Sequence, residues 1–262
     1  MNYETVNKSN WNKRLDLHLN SDFYKMDAFK QGATSLKDIE LNLLGDINGL
    51  DLVHLQCHFG QDSLSLARMG ANVTGVDLSD KCVEKAKELS VELDLNADFI
   101  CSNVMNCTDV IDKQFDIVFT SYGTIVWLPE LQTWAKQVFK LLKPGGKFIM
   151  VDFHPFIWMY DDDLNRIEYN YFNSDAITGE ESGSYASKES DEQLEYVCWN
   201  HALSETVMAL VNEGLQLNHL GEYNYSPYDV FPGMIKDEKD HYRIEKFEDK
   251  VPLCFSIIAS KA

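Results

Sequence analysis

The chain is 262 residues long, 45% apolar and 25% charged, and its formal net charge is −19 at neutral pH. That length suits one large α/β domain with an insertion, or two small domains. So acidic a surface repels nucleic-acid backbones and anionic lipid headgroups, which argues against both as partners and for a small molecule. The first twenty residues, "MNYETVNKSNWNKRLDLHLN", lack the apolar core of a signal peptide, and no apolar run approaches the roughly 20 residues of a membrane span, so a cytoplasmic protein is expected. The six cysteines form no C-x-x-C pair and no cluster with zinc-ligand spacing, so reduced, half-buried thiols and no metal are expected.

Residues 1–46 are helical in character and carry Trp11, His18, Phe23 and Tyr24. An apolar strand follows at about 51–56, then the helix "QDSLSLARMG", which Gly70 caps. "ANVTGVDLS" is a second strand, and Ser79 is suited to N-cap a helix in which Val83, Ala86, Leu89 and Leu93 share a face. "ADFICSNV" and "FDIVFTSYG" are the third and fourth strands. The helix "LPELQTWAKQVFKLL" is stopped by "KPGG", and "KFIMVDF" is the fifth strand. Apolar strands alternating with amphipathic helices indicate a parallel sheet covered on both faces. The alternation breaks over 155–200, which is rich in Tyr, Asp, Glu, Ser and Gly and reads as short strands and loops. A helix returns at "LSETVMALVNEGL", and "LQLNHLGEYNY" and "LCFSIIASKA" close the sheet. The expected organisation is a single domain: a helical lid over 1–46, a core over 47–154 and 201–262, and an inserted cap over 155–200.

A parallel sheet places its ligand at the carboxyl ends of its strands. The first strand runs there into "QCHFG", and Asp77, at the end of the second, stands about 20 residues on, where an acid can take both ribose hydroxyls of an adenosine. A dinucleotide loop needs glycines so that a pyrophosphate can rest on a helix N-terminus. Here only Gly60 remains, and Gln56 and His58 occupy the places of two others. Their side chains, if turned inward, would crowd a pyrophosphate. An adenosine without phosphates, as in S-adenosylmethionine, makes a smaller demand.

With "LQCHFG", "VTGVDLS", "FTSYG" followed by "WLP", "LLKPGG" and "FHPF", the chain resembles the class I S-adenosylmethionine-dependent methyltransferases, in a bacterial branch marked by the "LQCHFG" loop. The resemblance extends from "SDFY" to "SPYDVFPG". It implies a Rossmann-like class I methyltransferase fold: a mostly parallel seven-stranded sheet, helices on both faces and an inserted cap. It implies S-adenosyl-L-methionine as cofactor and S-adenosyl-L-homocysteine as product. It further implies that Gln56, Cys57, His58 and Gly60 wrap the methionine part, and that Asp77 binds ribose. Leu78 then packs on adenine and Asn103 and Val104 reach its edge, with Ser79 and Ser121 beside them. Two departures stand out. His54 replaces the usual acid before the loop, and Asn103 replaces a common Asp, though an Asn oxygen still accepts from the adenine amino group.

Methyl transfer from a sulfonium is an in-line displacement in which orientation supplies several kcal/mol, and a general base is needed only for a protonated nucleophile. Tyr122, after the fourth strand, is a wall for a cationic methyl group or else a packing tyrosine. His154, after the fifth strand, is expected to face the same crevice as a base or a substrate-orienting group, or else to stabilise a helix or loop, with Asp152 either orienting it or accepting a backbone hydrogen bond. Trp158, Trp199 and His201 are candidates for substrate contact, the last two weighed against a core tryptophan and a capping histidine. The resemblance further implies that Trp11, His18 and Tyr24 form a lid, Trp11 and Tyr24 over the cofactor and His18 toward the substrate; the bland reading is a helix docked through its aromatics. Cys57 lacks an activating neighbour and reads as packing, His54 as a buried hydrogen-bonded histidine, and the acids at 161–163 as solvated surface. The leading function is small-molecule methyl transfer. A non-catalytic cofactor-binding protein and a nicotinamide oxidoreductase remain as alternatives, the latter opposed by the missing glycines.

Overall fold

The computed structural model describes every residue except Met1 and Lys188. Strands β1 (Asp51–Leu55), β2 (Asn72–Asp77), β3 (Ala97–Cys101), β4 (Phe115–Ser121) and β5 (Leu142–Phe153) alternate with helices α4 (Gln61–Arg68), α5 (Asp80–Glu92) and α6 (Leu131–Leu141). A hairpin, β6 (Ile177–Ser182) and β7 (Gln193–Cys198), precedes α7 (Leu203–Asn212). Then come β8 (Leu215–Tyr223), the short pair β9 (Met234–Lys236) and β10 (Tyr242–Ile244), and β11 (Cys254–Lys261). The main sheet has seven strands in the order β3-β2-β1-β4-β5-β11-β8. β1 to β5 run parallel, and β11 runs antiparallel to both its neighbours.

Period-two alternation divides the strands' apolar residues between two cores. Val53, Val118, Phe148 and Met150 pack with Trp134, Val138 and Leu141 of α6. Leu52, Ile117, Phe119 and Ile149 pack on the opposite face with Leu44, Ile47 and Leu66. The strand order reverses between β1 and β4, so the connections leaving their carboxyl ends diverge and open a crevice.

Local signals held at the helix ends. Ser79 caps α5 by accepting from Cys82 N at 3.0 Å, and Gly70 follows α4 with φ +93°. Strand ends moved. β1 stops at Leu55 and β3 at Cys101, each short of the expected limit. β5 begins at Leu142, so the Pro-Gly-Gly turn lies inside the strand, where the pairing with β4 shifts register between Phe115 and Ile117.

Residues 1–46 form α1 (Tyr3–Leu19), α2 (Met26–Lys30) and α3 (Asp38–Leu44). The buried residues of α1 are mostly polar: Asn7, Asn10, Arg14 and His18, with Leu15. Asn7 donates from Nδ2 to Val197 O at 2.8 Å and accepts from Val197 N at 2.9 Å, Asn10 donates to Glu195 O at 2.8 Å, and Lys13 donates to Gln193 O at 3.0 Å. A helical spacing of three thus meets a strand spacing of two, and side chains of α1 pair with the backbone groups of β7. A second connection, over 224–253 with the β9–β10 pair, has no counterpart in the sequence-based expectation. No described helix is long and apolar enough to cross a membrane. Asn7→Ala leaves both Val197 backbone groups unpaired, so unfolding in urea is expected to show a loss of about 2–4 kcal/mol. A loss below about 0.5 kcal/mol would show that this seam does not hold α1.

Candidate active site

A cavity of about 960 Å³ opens at the carboxyl ends of β1, β2, β4 and β5. Its volume is at the upper end for ligand pockets, roughly 300–1,000 Å³. Its floor is the β1–α4 loop. Gln56 has φ 56°, His58 φ 54° and Gly60 φ 79°, so all three places keep a glycine-like backbone although only one holds glycine. Each non-glycine residue there costs about 1–2 kcal/mol. Neighbours offset the cost: Gln56 Nε2 donates to Thr124 O at 2.8 Å, Cys57 N to Val76 O at 2.9 Å, and His58 N to Asp77 Oδ2 at 2.7 Å. Gly60 is different, because a Cβ there would lie 2.7 Å from the Phe99 ring and 2.8 Å from Ala86 Cβ.

Asp77 lines the cavity, with Oδ1 also accepting from Ser79 N at 2.8 Å. Burial pushes its carboxyl up to about 6, against the pull of these backbone donors. Gln56 Oε1 is buried without a hydrogen-bond partner. Leu78, Asn103 and Val104 continue the wall. Asn103 Oδ1 accepts from Met105 N at 3.0 Å, which leaves one lone pair free.

Across the cavity, Tyr122 stands at the end of β4 with φ 43° and donates to Glu40 Oε2 at 2.7 Å. Glu40 is fully buried on α3, and burial raises its carboxyl to about 7. His54 is held between Ser63 Oγ at 2.8 Å and Ser121 Oγ at 3.3 Å, and burial lowers it to about 4, so it is neutral. Asp62, in the first turn of α4, accepts from Ser121 Oγ at 3.3 Å. Arg14 lies over the rings of Trp11, Trp127 and Tyr185 and pairs with Glu181 on β6.

The structure brings most of the sequence candidates to this wall: Trp11, Tyr24, Gln56, Cys57, His58, Asp77, Leu78, Asn103, Val104, Ser121, Tyr122 and Trp158. Gly60 lies beneath it, its place dictated by packing. Ser79 is not on it, because its hydroxyl caps α5 and donates to Asn12 Oδ1 at 2.6 Å. His18 is fully buried, between His58 Nε2 at 3.3 Å and Ser184 Oγ at 3.1 Å, and does not line the cavity. The expectation that His154 faces the crevice is not met. Backbone pairing continues past β5 (His154 N to Leu253 O, 2.9 Å), and the ring turns to Glu222 Oε1 at 2.9 Å while accepting from Phe156 N. Asp152 serves the loop after β4, accepting from the amides of Gly123 and Thr124. Neither Trp199 nor His201 lines the cavity. The first packs edge-on to Tyr3, and the second bridges Leu128 O and Glu205 at the start of α7.

Glu40, Arg14, Tyr185, Tyr228 and Phe231 were not expected from the sequence. Asp62 had a readable signal, an acid just past the loop glycine. The others come from segments whose local pattern says nothing of the sheet they cover.

Residues 53–146 match the family model described as a methyltransferase domain. The demethylmenaquinone methyltransferase of Lactococcus lactis is 31% identical over 150 residues, 54% of this chain and 58% of that protein. The ubiquinone biosynthesis O-methyltransferase of Proteus mirabilis is 30% identical over 151 residues, 51% of this chain and 61% of that one. The matched region thus spans about three fifths of these curated relatives. Among solved structures, a putative S-adenosylmethionine-dependent methyltransferase from Listeria monocytogenes superposes with a TM-score of 0.58 at 20% identity, over 90% of this chain and 99% of that one. The geranyl diphosphate C-methyltransferase of Streptomyces coelicolor, solved with S-adenosyl-L-homocysteine, gives 0.64 at 14% identity, over 100% and 99%.

Gly60→Ala is expected to cost about 2–4 kcal/mol, the sum of overpacking and a left-handed backbone, read as a shifted urea midpoint. An unshifted midpoint would contradict the tight packing of the loop on Phe99.

Proposed function

We propose that this chain, a methyltransferase domain on the class I S-adenosylmethionine-dependent methyltransferase fold, moves the methyl group of S-adenosyl-L-methionine to a small molecule and releases S-adenosyl-L-homocysteine. The observation that carries this reading is the floor of the cavity: a glycine-like loop that retains polar side chains, joined by hydrogen bonds to the acid that ends β2. Asp77 would hold the ribose hydroxyls, and Leu78, Asn103 and Val104 the adenine. Gln56 Oε1, buried and unpaired, is an acceptor suited to the ammonium of the methionine part. Bound S-adenosylmethionine supplies an electrophilic methyl on a cationic sulfur. The protein's part is to orient the acceptor in line with it and exclude water.

A dinucleotide fits less well. Asp62 sets a carboxylate in the first turn of α4, where a diphosphate would rest. The His58 ring, packed against Trp11 and Tyr24, fills the loop. A cation is favoured at the same place. Residues 1–46 act as a lid and 155–200 as a cap, since Trp11, Arg14, Tyr24, Trp158 and Tyr185 all line the cavity from those segments. The acceptor is a small molecule with an extended apolar or conjugated body, which the rings of Phe153, Trp158, Tyr228 and Phe231 suit. The curated relatives, by their names, methylate demethylmenaquinone or an oxygen in ubiquinone biosynthesis.

Calorimetry is expected to show binding of S-adenosylmethionine and its demethylated product, and none of NAD. The reverse pattern would overturn the reading. Transfer of a labelled methyl group into no fraction of a cell extract would reduce it to cofactor binding alone. Asp77→Asn should weaken cofactor binding by about 1–3 kcal/mol, the scale for charged hydrogen bonds.

Affinity should also depend on pH. The carboxylate form of Asp77 accepts the ribose hydroxyls, and its pKa is about 6. Affinity is therefore full above that pH and falls as pH drops through it, by up to roughly tenfold per unit. Asp77→Asn should flatten the dependence; an unaltered profile would remove Asp77 from the site.

A further inference from the structure

Glu40 is a fully buried carboxyl with two partners, Tyr122 Oη at 2.7 Å and the backbone N of Lys37 at 2.6 Å. No cationic side chain forms an ion pair with it among the described residues. Burying an acid without a cation is costly, and such groups concentrate where a proton is moved. Its one side-chain partner is Tyr122, on the cavity wall, in a left-handed conformation between Ser121 and Gly123. Strain of that kind persists where the surroundings over-determine it, and here Tyr122 N is tied to Val151 O at 2.8 Å. The Tyr122 ring lies 5.0 Å from that of Tyr228 and 5.6 Å from that of Phe153, which in turn meets Trp158 and Phe231. A carboxyl, a phenol and a slot walled by rings therefore lie in sequence.

We propose that Tyr122 is a catalytic residue that takes the proton of a hydroxyl-bearing, flat conjugated methyl acceptor, and that Glu40 is the positioning residue that receives the phenol's own proton. This rests on the methyl-transfer reading above and narrows it to oxygen. The acceptor oxygen forms a bond to the methyl carbon as the carbon–sulfur bond breaks, and the bonding pair stays on sulfur as a thioether. The acceptor's proton passes to Tyr122 Oη, and the Tyr122 proton passes to Glu40 Oε2. The products are a methyl ether, the demethylated cofactor and a neutral Glu40, which returns its proton to solvent. A relay is useful only to a nucleophile that arrives protonated and stays so at neutral pH, which describes a phenol or enol and not a thioether.

A carboxyl raised to about 7 is matched to this task near neutral pH. The charged and titratable groups around it are Tyr122 just after β4, Asp62 on α4, Tyr228 on the connection after β8, Cys254 on β11, and Lys37, whose ammonium sits 4.9 Å over the Tyr228 ring. The plainer role for the pair is a staple fastening α3 to β4. A staple would affect stability and leave the pH dependence of turnover untouched.

The test uses the full chain, methyl-labelled S-adenosylmethionine and four probes: catechol, 1,4-dihydroxybenzene, aniline and thiophenol. Label is expected on the two hydroxyl compounds, with kcat rising as pH climbs through about 7. Glu40→Gln should lower kcat by about 100-fold and remove that limb while cofactor affinity by calorimetry holds, and Tyr122→Phe should lose at least as much. Glu40→Asp should restore part of the rate. Transfer by Glu40→Gln at the wild-type rate and pH profile would overturn the relay. So would a flat wild-type profile, which needs no variant to fold. Label on aniline or thiophenol alone, or on no probe while the cofactor still binds, would overturn the acceptor class. Failure to bind the cofactor at all would instead overturn the function beneath it.

Discussion

The bond from His58 N to Asp77 Oδ2 ties the β1–α4 loop to the end of β2 and fixes the geometry of the cavity floor. It requires the chain to leave β1 through a left-handed residue at 56 and another at 58 before α4 can begin at 61. Glycine is the easy solution to such a path. This chain uses glutamine and histidine and offsets their strain with the Thr124 carbonyl and with aromatic packing. The gain is two polar side chains on the floor. Glycine is retained only at 60, where a side chain would strike Phe99.

The roof is held by different chemistry. α1 buries amides and a guanidinium in place of an apolar stripe, because its partner is the backbone edge of β7. Directional hydrogen bonds set the register of helix on strand, which apolar packing alone does loosely. The same contact carries Arg14 into the aromatic group with Trp11, Trp127 and Tyr185, and so joins roof and cavity wall.

Burial gives the titratable groups opposing effects on stability. His54 and His58 are lowered from 6.5 to about 4 and about 3, so their contribution is full above 6.5 and is lost as pH falls through those values. Asp77 and Glu40 are raised from 3.8 and 4.5 to about 6 and about 7, so theirs is full in acid and is lost as pH rises through those values. The two sets offset each other across mildly acidic pH. The site thereby holds neutral histidines and protonatable acids together.

The sequence by itself determined the parallel sheet, the crevice at the carboxyl ends of its strands, the loop at 56–60 and the acid at 77. These depend on period-two and helical patterns, caps and turns, which are written in neighbouring residues. It also gave a second, plainer choice for Trp199 and His201, and the structure buries both side chains. Only the tertiary structure decided that His154 turns to Glu222 and that Glu40 stands behind Tyr122. It alone brought Tyr228 and Phe231 from the connection after β8 to the cavity wall. The reason is physical: a side chain's direction past a strand end depends on what pairs beyond it. The partner of Tyr122 is 82 residues away, and no local pattern encodes that meeting.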